Sequence, residues 1–258
     1  MAFTWDDYTV AWICALPLEM TAAKAILDTL HPPQPQSQSD HNVYTLGSVG
    51  GNNIVIACLP TGVYGVTSAT VVLAHTQLTF PSGQFGLMVG IGGGVSSKSS
   101  DIRLGDVAIS MLPNGFGSLN KPPQNLLTAI SQVRSENMLR EANTKKPRER
   151  FSRPDHDLLF KSTYDHESRD LDCSACDQSQ LGPFMKDARM RDSIAQQLGI
   201  HCFEMEAAGL IDQLPCLVIR GICDYCDSHK QAMVPPYSHN RNNNVAEARR
   251  MVPFSRNV

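Results

Sequence analysis

Phe203-Glu204-Met205-Glu206-Ala207-Ala208 and Val218-Ile219-Arg220-Gly221-Ile222-Cys223-Asp224 each place acidic residues at the end of a short apolar segment. Such apolar segments are typical of buried strands. In an open α/β sheet, ligands bind in the crevice outside the carboxyl ends of the strands. Carboxylates at that position can bind hydroxyl groups or transfer protons. The pattern therefore predicts an α/β sheet with Glu206 and Asp224 beside its binding crevice.

The rest of the chain alternates apolar, strand-like runs with helical patterns. The run from Val10 to Leu16 predicts a strand buried on both faces, and Pro17 favours a helix directly after it. Two strands over Val43–Val49 and Ile54–Leu59 flank a glycine–asparagine turn, which predicts a hairpin. This alternation predicts an α/β fold with a largely buried sheet. Further helices are predicted over Val66–Leu78, Pro123–Leu139, Met185–Leu198 and Met205–Leu214, and further strands over Gly86–Val89, Val107–Met111, His201–Glu204 and Cys216–Gly221.

Glu19 lies in the first turn of the helix that begins at Pro17. Apolar residues at helical spacing extend this helix as far as Leu30, where a run of prolines follows. The helix dipole favours a carboxylate in the first turn. On position alone, Glu19 is therefore interpreted as a stabilised surface residue.

Composition excludes several classes of protein. The apolar fraction of 42% supplies a sizeable core, and a net charge of −3 creates no field that attracts nucleic acid or an acidic membrane. No apolar run approaches the roughly 20 residues of a membrane span, and no secretory signal pattern opens the sequence. We expect the eight cysteines to be thiols in a reducing compartment. A cytoplasmic protein is predicted, with the nucleus as the other compartment left open.

A glycine-rich segment, Gly90-Ile91-Gly92-Gly93-Gly94, follows the predicted strand Gly86–Val89. Backbone amides in such a segment can face a phosphate or a ribose. It is not a dinucleotide-binding fingerprint, because no helix clearly opens after it. Tight turns at strand ends also need glycine. The segment alone leaves a binding loop and a structural turn both open.

The cysteines include two short pairs, Cys173-x-x-Cys176 and Cys223-x-x-Cys226. Four thiolates can hold a structural zinc ion. The two pairs lie further apart than the pairs of zinc ribbons do, which favours separate thiols over a zinc site. We expect no metal and no other cofactor.

The acidic strand ends suggest distinct roles for their carboxylates. Because Glu204 and Glu206 are two positions apart, Glu206 can face a pocket while Glu204 forms a structural pair with Arg220. A carboxylate that accepts hydrogen bonds from two hydroxyl groups suits a vicinal diol such as that of ribose. Asp224 can serve as an acid if its strand end is buried. On position alone, a solvated loop aspartate is an equally good interpretation.

Together these segments resemble the nucleoside phosphorylase/nucleosidase superfamily. The resemblance is closest to fungal domains found in larger proteins with NACHT, ankyrin or tetratricopeptide regions. It implies a three-layer α/β/α fold around a twisted, mixed central sheet. The segments that carry it are Tyr8–Leu16 with Glu19, His41–Val49, Gly62–Gly65, Leu87–Gly94, Asp101–Ser110 and Lys186–Asp227.

The resemblance also implies roles for single residues. Glu19 matches the glutamate that activates the attacking water in the family's nucleosidases, and Asp224 matches the aspartate that protonates the purine at N7. Met205 and Glu206 match a Met-Glu pair that contacts the ribose. The further substrate-binding positions that it implies are Gly62, Gly90, Ile91, Gly92 and Gly93.

By resemblance, the chain hydrolyses the N-glycosidic bond of a purine nucleoside or nucleotide, through an oxocarbenium-like transition state. A phosphate-dependent phosphorylase and a non-catalytic or degenerate nucleoside-binding paralogue are the alternatives. Hydrolysis is favoured because Glu19 would repel an anion and no Gly-Asp-Pro-x-Arg-type element lies near the N-terminus. The predicted partner is therefore a purine nucleoside or nucleotide. The resemblance also implies that the chain can form homo-oligomers. Nucleic acid and membranes are not expected as partners.

The chain departs from the family pattern at three junctions, which follow Gly117, Phe184 and Lys230. There we expect it to lack a strand, a base-contacting loop and the C-terminal helix. The predicted domain covers residues 1–230, with a mobile polar insertion at about residues 143–183. Residues 231–258 are expected to form an irregular or disordered tail.

Overall fold

Strands and helices alternate along the chain in the structure, a computed structural model that describes residues 3–97, 100–110, 122–142 and 189–226 and the single residues 157, 159, 160, 164, 176, 177 and 179. The strands are β1 (Val10–Cys14), β2 (Thr29–Leu30), β3 (Tyr44–Val49), β4 (Asn52–Cys58), β5 (Phe85–Gly94), β6 (Val107–Ile109), β7 (Cys202–Phe203) and β8 (Cys216–Asp224). The helices are α1 (Pro17–Ala25), α2 (Val66–Thr79), α3 (Gln124–Ala142), α4 (Arg189–Leu198) and α5 (Ala208–Ile211).

The eight strands of the described residues form one mixed sheet in the order β2-β3-β4-β1-β5-β8-β6, with β7 paired to β5 beside this path. Strand β1 is parallel to both β4 and β5, and β5 is parallel to β8. The outer pairs β2–β3, β3–β4 and β6–β8 are antiparallel, as is β5–β7. The predicted mixed α/β sheet is confirmed.

Helices cover both faces of the sheet, because alternate residues of the central strands point to opposite sides. On β5, Leu87 packs in a core cluster with residues of α1 and α3. The next residue, Met88, packs in a second cluster with residues of α2 and α5. Burying a side chain of this size contributes about 1.5–3 kcal/mol relative to exposing it. The two clusters make the three layers that the resemblance implied.

Helix α1 is shorter than its apolar spacing predicts. It ends at Ala25, and Thr29–Leu30 form a strand paired with β3. The amides of Asp28 and His31 donate to the carbonyls of Ser48 and Leu46, so backbone pairing replaces the next helical turns. Here the sheet edge overrides a weak helical preference.

Strands β5 and β8 both extend further than predicted. Strand β5 continues through Gly90–Gly94, and β8 reaches Asp224. Gly90 pairs with Arg220, and the register shifts between Gly92 and Gly93. The segment is therefore part of the central sheet and forms neither the loop nor the turn that the sequence left open.

Most of the predicted insertion at residues 143–183 lies outside the described residues, and so do the tail at 231–258 and the three shortened junctions. Their expected structure stays a prediction. No helix in the described part of the chain has both the length and the apolar character needed to cross a membrane.

Candidate functional site

A buried arginine lies at the centre of the candidate site. Arg220, on β8, is only 2% exposed. Its Nη2 donates to Glu204 Oε2 at 2.6 Å and lies 3.7 Å from Glu206 Oε2, while its Nη1 lies 3.7 Å from Glu19 Oε1. We call these four residues the arginine–carboxylate cluster. The expected Glu204–Arg220 pair is confirmed, but the sequence did not identify Arg220 as the centre of a site.

Glu19 is buried, which contradicts the interpretation of a surface residue. Its Oε2 accepts hydrogen bonds from the amides of Ala15 (2.7 Å) and Leu16 (3.0 Å), and its Oε1 accepts one from Ile91 (2.9 Å). The side chain therefore joins the end of β1 to β5. Burial raises the pKa of Glu19, and this outweighs Arg220 and the three amides, which act in the opposite direction.

The glycines of β5 make room for the charged side chains. A Cβ on Gly90 would overlap Glu19 Oε1 and Arg220 Nη1. A Cβ on Gly92 would lie 2.6 Å from Cys202 Sγ, and one on Gly93 would lie 2.7 Å from Asp224 Oδ1. At these positions glycine is needed for close packing. Ile91 takes part through its backbone amide, which donates to Glu19.

The two carboxylates of the Glu204–Glu206 segment make different contacts. Glu204 Oε2 accepts from the amides of Glu206 (3.1 Å) and Ala207 (2.8 Å) as well as from Arg220. Glu204 thus fixes the backbone that carries Glu206. The Glu206 side chain is buried, and its Oε2 accepts a hydrogen bond from the Met205 amide at 3.3 Å. Met205 is 67% exposed, so its side chain lies at the protein surface.

Asp224 is the last residue of β8 and only 5% exposed, so it is not a solvated loop residue. Its Oδ1 accepts from the amide of Cys226 at 2.8 Å, and its Oδ2 accepts from Cys223 Sγ at 3.4 Å. It pairs in register with Gly93 of β5. These contacts fix the carboxylate at the carboxyl end of the sheet.

Cys202 shows that Asp224 and the arginine–carboxylate cluster share one neighbourhood. Burial raises the pKa of Cys202 to about 12, with further increases from Glu204 and Asp224 and an opposing effect from Arg220. Along β5, the residues beside Glu19 and Asp224 are three positions apart, which spans about 10 Å at the rise of a strand. Glu19 and Asp224 therefore lie along the same part of β5.

No contact between Gly62 and the cluster is seen among the described residues. Its backbone has φ of +84°, and apart from Gly62 itself and its two chain neighbours no described atom lies within 4 Å of the place where its Cβ would be. Gly65, at the end of the same turn, is the nearer residue: a Cβ there would lie 3.9 Å from the carbonyl oxygen of Met205. This turn and Met205 therefore border the site at the surface.

No group of three or more histidine, cysteine or acidic residues is arranged to hold a metal ion in the described part of the chain. Cys173, one member of the first cysteine pair, lies outside that part.

Solved structures of nucleosidases share this architecture. The futalosine hydrolase of Helicobacter pylori matches with a TM-score of 0.62 at 14% identity, over 95% of this chain and 97% of its own. A 5′-methylthioadenosine/S-adenosyl homocysteine nucleosidase of the same bacterium matches with 0.62 at 13% identity, over 95% and 98%. The corresponding nucleosidase of Neisseria meningitidis gives 0.58 at 15% identity, over 95% and 97%. The chain has the α/β fold of these nucleosidases.

A fungal protein is similar in sequence. A nucleotide-binding leucine-rich repeat (NLR)-like protein of Hyaloscypha variabilis is 41% identical over 280 residues, which cover 90% of this chain. The chain spans 28% of the length of that relative. Because the alignment is longer than this 258-residue chain, the relative contains residues that have no counterpart here. No model of a protein family matches the chain.

Proposed function

We propose that the chain hydrolyses the N-glycosidic bond of a purine nucleoside or nucleotide and releases the free base and the ribose moiety. The observation that carries this proposal is the buried arrangement of Glu19 and Glu206 around Arg220, with Asp224 at the end of the same strand pair. The nucleosidase fold supports it, and one of the matched Helicobacter pylori structures holds 5′-methylthioadenosine in its active site.

The charge of the arginine–carboxylate cluster suits this reaction. Departure of the base leaves positive charge on the ribosyl group. Three carboxyl groups surround one guanidinium, so the ionised cluster carries excess negative charge that stabilises a cation. Glu206 would accept hydrogen bonds from the ribose hydroxyls beside that charge.

The two remaining carboxylates would handle protons. Glu19 would orient the attacking water and accept its proton, and a raised pKa makes a carboxylate a better base. Asp224 would donate a proton to the departing purine at N7 and so make it a better leaving group. Its hydrogen bonds from Cys226 and Cys223 restrict where the carboxylate can point.

The same charges favour water over phosphate as the nucleophile. A phosphate ion needs cationic or amide donors that are free to bind it. The guanidinium of Arg220 is instead shared among three carboxyl groups. The excess negative charge of the cluster would repel an incoming anion but not a water molecule.

Nucleoside binding without turnover is the second candidate. The observation that favours it is that the fungal relative contains residues with no counterpart in this chain. Losing a segment that aims a catalytic group can displace it, and displacement by about 1 Å can cost ~100-fold in rate. The ribose-binding carboxylate would remain while catalysis is lost.

A base-release assay with a matched pair of variants tests the proposal. Adenosine, inosine, guanosine, 5′-methylthioadenosine and ATP are each incubated with the wild type, Asp224→Asn and Asp212→Asn, an exposed aspartate at the end of α5. We expect release by the wild type and by Asp212→Asn, and a loss of about 100-fold or more in Asp224→Asn. Unchanged release in Asp224→Asn would contradict the assignment. Binding without release from any of the five compounds would support the second candidate.

A further inference from the structure

The residue after the candidate acid has its own anchor. Tyr225 is 3% exposed and packs in a small core with Leu104 and Ile222. Its hydroxyl donates to Asp157 Oδ1 at 2.5 Å. Burial raises the pKa of the Tyr225 phenol, and Asp157 raises it further, so the hydroxyl remains a hydrogen-bond donor.

Asp157 is itself held by a second charged residue. Arg103 Nη1 lies 3.8 Å from Asp157 Oδ2, and Arg103 Nε donates to Asp101 Oδ1 at 2.7 Å. The Arg103 amide donates to Asp106 Oδ2 at 2.9 Å, which ties the loop before β6 to the same place. The Tyr225 hydroxyl is therefore attached to a charged network that is separate from the arginine–carboxylate cluster.

The backbone around Tyr225 is held in an unfavourable turn. The Cys226 amide donates to Asp224 Oδ1 at 2.8 Å, so Tyr225 is the middle residue of the turn that fixes the carboxylate. Cys226 has a φ of +52°, in the left-handed region that non-glycine residues rarely adopt. Such a conformation persists only where surrounding contacts hold it. The burial of Tyr225 and its bond to Asp157 supply these contacts.

We propose that Tyr225 is a positioning residue for Asp224: its hydrogen bond to Asp157 holds the turn that aims the Asp224 carboxylate at the departing base. This inference rests on the proposed hydrolysis. Asp157 and Arg103 then also help to hold Asp224 in place, although both lie outside the arginine–carboxylate cluster. Loss of the bond should slow the step that needs the acid and leave ribose binding unchanged.

Tyr225→Phe tests the inference, with Tyr44→Phe as its matched control. Both phenols donate to an aspartate, because Tyr44 bonds to Asp40 Oδ2 at 2.8 Å, but Tyr44 lies on β3, four strands away from β8 in the sheet. We expect Tyr225→Phe to lower kcat for purine release between about 10-fold and 100-fold with little change in KM. Tyr44→Phe should leave both constants close to those of the wild type.

A substrate with an activated leaving group separates positioning from general damage. 4-Nitrophenyl β-D-ribofuranoside needs no proton on its leaving group, so Tyr225→Phe should cleave it at close to the wild-type rate. Equal losses on both substrates, or a purine kcat equal to that of the wild type, would overturn the inference. Asp157→Ala, which removes the acceptor and leaves Tyr225 in its core, should reproduce the same selective loss, and it decides the question if Tyr225→Phe does not fold. A wild type that cleaves neither substrate would overturn the proposed function itself.

Discussion

Some of the residues that surround Glu19 are distant from it in the chain. Its place in the first turn of α1 is a local feature, and that feature favours a surface carboxylate. Its burial depends on Ile91, which is 72 residues away, and on Arg220. Sequence spacing contains no signal for such contacts. Only the resemblance to nucleosidases assigned Glu19 to a site, and its catalytic role stays a prediction.

The pKa of Glu19 predicts how stability depends on pH. Because burial raises this pKa above the ordinary value of 4.5, the folded chain binds the proton more tightly than the unfolded chain does. The contribution of Glu19 to stability is therefore fully present below the ordinary pKa and is lost as pH rises through the folded-state pKa. We expect the wild type to lose stability relative to Glu19→Gln as the pH rises above the ordinary pKa of 4.5. Urea unfolding of both proteins across this range measures the difference.

Asp40 provides a control, because its pKa is shifted in the direction opposite to that of Glu19. Burial alone would raise its pKa, but hydrogen bonds from Thr79, Asn42 and Tyr44, with His75 nearby, together lower it below 3.8. Stability from Asp40 is therefore present above that ordinary value and is lost as pH falls. Relative to Asp40→Asn, the wild type should lose stability on acidification. Shifts of the same sign in both comparisons would contradict the assignment for Glu19.

Among the elements, the hairpin of β3 and β4 was the most predictable, because its signal is local. Gly50 and Gly51 connect the strands with φ of 56° and 81°. Two consecutive positive φ values are typical of the tight turns that suit the twist of a hairpin. The hairpin follows from residues that are adjacent in the chain, although β4 begins at Asn52, two residues before its predicted start.

The end of β5 was predicted wrongly, for a physical reason. A run of glycines after an apolar strand normally indicates a turn. In this chain Gly90, Gly92 and Gly93 lack side chains because side chains from α1, β7 and β8 occupy that space. The side chains that require these glycines belong to other elements, so the sequence of β5 alone contains no signal for them.

Gly90→Ala tests this account of β5. The added Cβ would overlap Glu19 Oε1 and Arg220 Nη1, so one of the buried charges must move. Disrupting a buried ion pair costs about 3–5 kcal/mol, and we expect a loss of unfolding free energy in that range. Gly83→Ala is the control, because its Cβ would lie 3.4 Å from the Phe80 carbonyl, an ordinary contact. If denaturant unfolding shows equal effects of the two substitutions, the packing argument for Gly90 fails.

At the level of the whole molecule, the site is assembled from distant parts of the chain. Glu19 follows β1, Gly90 lies on β5, Glu204 and Glu206 follow β7, and Arg220 lies on β8. Acidic residues at strand ends could be recognised from the sequence, since strand ends of a parallel sheet converge. The pairing of Arg220 with Glu204 was also predicted, but its contacts with Glu19 and Glu206 are visible only once the strand order is known.

Several predictions about the protein as a whole remain untested. The chain spans 28% of the NLR-like relative, so a setting beside NACHT, ankyrin or tetratricopeptide regions stays a prediction. The same holds for the homo-oligomer and the cytoplasmic location. The domain boundaries at residues 143–183 and 231–258 also await a test, because these segments lie almost wholly outside the described residues.

The most direct test of the proposed hydrolysis is a chromatographic measurement of the products formed from purine nucleosides and nucleotides by the purified chain in phosphate-free buffer. We predict free purine together with the unphosphorylated sugar, or with the 5′-substituted sugar of the substrate. We also predict that added inorganic phosphate leaves the rate unchanged, because the arginine–carboxylate cluster offers no free cation to that anion. Absence of free base from every substrate, or release that requires phosphate and yields a sugar 1-phosphate, would contradict the account.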